Sequence, residues 1–170
     1  MTTRFTHRNL PGLLLQAREA LMTQRRPALR EHGLSDQQWR VLRVLDRHGC
    51  CTGQAPEGEE GVETGLIARE AQLLGPSLSG VLQRMERDGL VLRQRSAQDA
   101  RRSVVRATAR GRELLQALAL SVEAQYALLE QQLGADRLLQ LYDLLDAVVA
   151  LSPVATPDTD ATPEEEPTDA

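Results

Sequence analysis

Residues 74–115 read LGPSLSGVLQRMERDGLVLRQRSAQDARRSVVRATARGRELL, and this stretch decides the fold. Gly75-Pro76 opens it, and proline suits the first turn of a helix. Leu78, Val81, Leu82 and Met85 then recur at three- and four-residue spacing, which predicts a helix to about Asp88 with Gly89 as its stop. Leu90-Val91-Leu92 and Val104-Val105 flank a polar turn over 96–102, which predicts two short strands joined as a hairpin. A helix followed by a basic hairpin is the second half of a winged helix-turn-helix.

The upstream sequence supplies the first half. Ser35-Asp-Gln-Gln38 fits a capping box, Leu34 precedes it as a staple, and Trp39, Leu42, Val44 and Leu45 form a buried stripe ending at His48-Gly49. Residues 50–61, CCTGQAPEGEEG, break the periodicity and read as an exposed loop. A third helix is expected near Thr64 as N-cap, carrying Leu66, Ile67, Ala68, Ala71 and Leu73.

Outside this module the pattern is helical again. Leu10, Leu13, Leu14, Ala17 and Leu21 predict a helix over about 11–31, which Pro27 should kink or interrupt. Leu114, Leu118, Val122, Tyr126, Leu129 and Leu133 predict a long helix over 109–131. Gly134 interrupts it, and Leu138, Leu141, Leu145 and Val148 continue in a last helix over 136–151. These leucine-rich faces exceed what a module of roughly 70 residues can hide, so a second copy of the chain is the expected cover, with an intramolecular bundle as the alternative.

The expected fold class is therefore mainly α: a winged helix-turn-helix with N- and C-terminal helices forming a dimerisation base. The expected parts are a dimerisation helix over 1–33 and the winged module over 34–108, with a loop insertion at 50–62. Dimerisation helices over 109–151 and a disordered acidic tail over 152–170 follow. The tail, SPVATPDTDATPEEEPTDA, has six acids and no base.

Charge is unevenly spread over the 170 residues. The formal net charge is −4, and all twenty basic side chains are arginine. Without the tail, 20 Arg face 18 acids, a net of +2. Residues 69–112 hold ten Arg and four acids. Such a basic block on a folded element is the footprint of a polyanion.

The absence of lysine excludes Schiff-base chemistry and a P-loop lysine. His7, His32 and His48 have no metal-ligand spacing, and there is no Gly-rich phosphate loop or nucleophile elbow. No catalytic residues, metal or cofactor are expected. No apolar run reaches the roughly 18 residues of a membrane span, and no signal segment precedes the first helix. A cytoplasmic protein without a membrane partner is expected.

Residues 13–45 and 74–115 resemble the MarR family of bacterial transcriptional regulators. Within it they are most similar to the branch controlling homoprotocatechuate degradation (HpaR-like), near the BpsR-type regulators. The wing carries the most specific part: Asp99-Ala-Arg-Arg102, followed by Val-x-x-Thr108-x-x-Gly111, matches the family's D-x-R-R signature. The resemblance covers about residues 10–150. It implies a homodimer on palindromic double-stranded DNA, mostly repressing, and released by small aromatic carboxylates or phenols, or by thiol oxidation.

Chemistry then assigns candidate residues. Ser77 and Ser79 could bond phosphates or base edges, or merely cap their helix. Gln83 and Arg84 suit adenine and guanine edges. Gly80, inside the same helix, costs about 1 kcal/mol relative to Ala. It either admits DNA closely or weakens base reading. Arg95, Arg101 and Arg102 surround the wing turn, and guanidinium suits a narrow minor groove. The resemblance implies that Asp99 and Arg102 stiffen the wing and Arg101 inserts.

For an aromatic carboxylate effector, Arg18 and Arg40 offer cations, Trp39 offers a ring, and His7 is an outer candidate. Arg18 could equally pair across subunits, and Trp39 could simply be core. Two other readings use different features. Adjacent Cys50 and Cys51 could sense oxidants, or the leucine faces could serve a protein–protein adaptor that does not bind DNA, although an adaptor has no need of a basic hairpin.

Overall fold

The computed structural model describes residues 6–49, 61–95 and 102–151. Its element order is α1 (Leu10–Glu31), α2 (Asp36–Arg47), β1 (Val62–Glu63), α3 (Thr64–Glu70), α4 (Gly75–Arg87), β2 (Val91–Arg95), β3 (Ser103–Ala107), α5 (Ala109–Leu133) and α6 (Ala135–Ala150). The chain divides into two compact units, Met1–Ala127 and Leu128–Ala170.

Local sequence explains most helix ends. Asn9 caps α1 by accepting from the Gly12 N–H at 3.1 Å. Ser35 and Gln38 form the expected reciprocal box: Ser35 N–H donates to Gln38 Oε1 at 2.9 Å, and Gln38 N–H donates to Ser35 Oγ at 3.2 Å. Pro27 does not interrupt α1, which continues to Glu31. Proline removes one N–H, but the intact turns on either side carry the helix past it.

One expectation is corrected and another extended. Thr64 is the first residue of α3 rather than its N-cap; Glu63 holds that position and makes no side-chain cap bond. The hairpin is also part of a three-stranded sheet, in the order β1-β3-β2. β2 pairs with β3 in antiparallel register from Val91↔Ala107 to Arg95↔Ser103. β1 adds Val62↔Val105 and Glu63↔Val104 on the other side of β3. Gly61 allows this approach: a Cβ there would lie 2.3 Å from the Val105 carbonyl oxygen.

The core lies in the first unit. Trp39, Val41, Leu42, Val44 and Leu45 of α2 are buried together with Ile67, Leu78, Val81, Leu82, Met85, Val91 and Val105. Each such aliphatic side chain contributes about 1.5–3 kcal/mol on burial. The wing is locked to α5 through Thr108. Its hydroxyl donates to the Gly89 carbonyl at 2.6 Å and accepts from the Gly111 N–H at 3.0 Å. A Cβ at Gly111 would lie 2.2 Å from the Leu90 carbonyl oxygen, so this crossing also requires glycine. The Thr108-x-x-Gly111 part of the signature is thus a joint of the fold.

Leu10, Leu13, Leu14, Leu15 and Leu21 of α1 are exposed in the first unit. In the second unit Leu139, Leu141, Leu144 and Val149 of α6 are exposed as well. Among the described residues no helix is long and apolar enough to cross a membrane.

Candidate functional site

The buried side of α4 consists of Leu78, Val81, Leu82 and Met85. A rotation of 100° per residue therefore turns Ser77, Gln83 and Arg84 outward, and all three are exposed. Ser79 is exposed as well. Neither serine caps the helix, because Leu74 occupies the N-cap and makes no side-chain bond. The first intrahelical donor is the Leu78 N–H, to the Leu74 carbonyl at 2.9 Å. The Gly75 and Ser77 N–H groups before it have no partner within the helix, an arrangement that favours anions.

The arginines around this helix fall into two groups. Arg87 pairs with Asp88 at 3.3 Å, Arg93 with Glu86 at 3.2 Å, and Arg102 with Glu63 at 2.7 Å. Arg84 and Arg95 have no ion pair among the described residues. Arg102 thus ties the start of β3 to β1 through an acid that sequence reading had not singled out. Asp99, Arg101, Cys50 and Cys51 lie outside the described residues.

The effector candidates lie in the first unit. Trp39 is 3% exposed, and the Arg43 guanidinium lies 5.8 Å from its ring centroid. Arg18 Nη2 donates to Asp36 Oδ2 at 2.6 Å, and Arg18 Nη1 to Glu19 Oε1 at 2.8 Å. Arg40 Nη1 donates to the carbonyls of Ala71 at 2.6 Å and Gln72 at 3.2 Å, just past α3. Arg40 Nε lies 3.5 Å from the same Asp36 Oδ2. Asp36 therefore gathers Arg18 and Arg40 on one oxygen, while its buried Oδ1 has no hydrogen-bond partner. A buried carboxylate oxygen without a donor is costly, and the neighbouring Arg40 Nε is likewise buried without a hydrogen-bond partner.

Nearby, the Arg26 hydrogen bond to Glu19, at 2.6 Å, holds that carboxyl below the usual carboxylate range, with Arg18 adding to the effect against a desolvation that opposes it. His7 is exposed ahead of α1. Asp36 and Arg43 adjoin these candidates without a distinctive sequence mark. Their signal was only helical spacing, four residues before Arg40 and four after Trp39. Among the described residues no three His, Cys, Asp or Glu side chains are grouped to hold a metal ion.

Two short helices, a helix with an outward polar face and a three-stranded basic wing define a winged helix-turn-helix protein. The MarR family model matches residues 34–103. The chain is 38% identical over 145 residues to the HTH-type transcriptional regulator FarR of Neisseria gonorrhoeae, covering 85% of this chain and 92% of that one. It is equally 38% identical over 145 residues to the homoprotocatechuate degradative operon repressor of Escherichia coli, covering 85% and 90%. The structure of NadR in complex with 4-hydroxyphenylacetate superposes with a TM-score of 0.77 at 36% identity, covering 89% of this chain and all of that one. The chain belongs to the MarR family.

Proposed function

We propose that this chain is a homodimeric repressor that binds palindromic double-stranded DNA and is released by a small aromatic carboxylate. In this reading α4 enters the major groove. Ser77 and Ser79 meet phosphates or base edges, and Gln83 and Arg84 read bases. Arg95 and Arg101 reach the minor groove beside the wing, while Asp99 and Arg102 hold the wing in shape. The observation that carries the reading is the unpaired, exposed Arg84 on the outward face of α4, in a chain 38% identical to an operon repressor.

The effector site in this reading contains Arg18, Trp39, Arg40 and His7, and we include Asp36 and Arg43 because they contact these residues. The ligand in the NadR complex, 4-hydroxyphenylacetate, has a carboxylate, a ring and a phenol. Those three groups suit a guanidinium, an indole wall and the free Asp36 Oδ1 respectively. The exposed leucines of α1 and α6 support a second copy as partner. The test is enrichment of duplexes from a random library by the purified protein. Recovery of an inverted repeat supports the reading, and recovery of no preferred sequence contradicts it.

A further inference from the structure

Gly80 lies in the interior of α4, where glycine is the least favourable residue after proline. Gly61 and Gly111 have structural reasons, since a Cβ at either would strike a backbone carbonyl. Gly80 has none. Its φ is not positive. A Cβ built there meets no backbone and no side chain except Arg84 Nη1, at 3.6 Å, an ordinary contact distance. Alanine would fit and would favour the helix. A glycine that the fold does not need, in the middle of an outward helical face, points to a use outside the fold.

The neighbour at position 80 is Arg84. Helical side chains lean toward the N-terminus, so a residue lies over the one four positions before it. The Arg84 guanidinium accordingly lies against position 80, with no acidic partner among the described residues. Pro76, Ser77, Gln83 and Arg87 are exposed around this gap. The missing side chain leaves a notch with a planar, unpaired fork of donors at its edge. Such a fork matches the O6 and N7 acceptors of guanine.

We propose that Gly80 and Arg84 form one reading unit, in which the notch lets a guanine edge approach the helix backbone and sets the angle of the Arg84 fork. Gly80 is then a specificity-determining position, acting through Arg84. This inference rests on the DNA-reading role proposed for α4.

The test uses the full chain as wild type, Gly80→Ala, Arg84→Ala and the double variant. The probes are a duplex enriched from a random library by the wild type and a shuffled duplex of equal composition. Gly80→Ala is expected to melt about 2–4 °C higher and to bind the enriched duplex about tenfold more weakly, with shuffled-duplex affinity unchanged. The double variant is expected to bind no more weakly than Arg84→Ala alone. Full enriched-duplex affinity in Gly80→Ala, or losses that multiply in the double variant, would overturn the pairing while leaving DNA binding intact. A wild type that enriches no duplex overturns the DNA-reading role itself, and the pairing with it.

Discussion

Arg18 Nη2 lies 2.6 Å from Asp36 Oδ2, so the first helix is tied to the start of the second by a charge-assisted hydrogen bond. The same carboxylate oxygen faces Arg40 Nε at 3.5 Å. Two guanidinium groups thus converge three residues before Trp39. In the proposed reading, a carboxylate ligand beside that indole would meet guanidinium groups already held in place by Asp36, which would lower the ordering cost of binding. Arg18→Ala is expected to weaken 4-hydroxyphenylacetate binding about tenfold or more in isothermal titration, since a charge-assisted bond is worth about 1.5–3 kcal/mol. Equal binding by both proteins removes Arg18 from the site. The ion pair itself is exposed, so the variant should lose about 1 kcal/mol or less in a urea melt.

The free Asp36 Oδ1 gives a second expectation, one that needs no mutation. Phenylacetate lacks the hydroxyl of 4-hydroxyphenylacetate and would leave that oxygen without a donor. It should bind wild type at least about fivefold more weakly, equivalent to about 1 kcal/mol. Equal affinities measured by isothermal titration would place the phenol elsewhere.

The wing arginines should act on DNA of any sequence. Arg101→Ala is expected to weaken binding to enriched and shuffled duplexes alike and to reduce the salt slope by about 1. An unchanged slope in titrations across salt concentrations would remove Arg101 from the phosphate or groove contacts.

The terminal helices should hold two copies together. Leu144 on α6 is 66% exposed in the single chain. Sedimentation is expected to give roughly twice the 18.8 kDa chain mass, and Leu144→Glu is expected to shift the equilibrium toward one chain. A wild-type monomer would contradict the dimer, and with it the reading of a palindrome by two wings.

Much of the fold was legible because its signals are local. The capping box at Ser35 and Gln38 acts over three residues, and the α4 stripe from Leu78 to Met85 repeats at one helical period. What escaped was long-range. β1 is two residues long and has no pattern of its own; its pairing with Val104 and Val105 defines it. The sequence marks Arg40 only by its place after Trp39, yet its bonds to Ala71 and Gln72 span more than thirty positions. Those bonds give Arg40 a structural duty that no sequence spacing announces. The unpartnered Asp36 Oδ1 is likewise a product of packing, visible only once Arg18 and Arg40 are both placed on the other oxygen. In the sequence Gly80 is a cost to its helix, and its relation to Arg84 depends on the direction of the arginine side chain.

The most direct test of the account is a fluorescence-anisotropy titration of a library-enriched duplex with wild-type protein, with and without 4-hydroxyphenylacetate. The account predicts a Kd of about 10⁻⁸ M or tighter near physiological salt, weakened about 5- to 150-fold by saturating ligand. Binding no tighter than to a shuffled duplex, or the same affinity with and without the ligand, would contradict it.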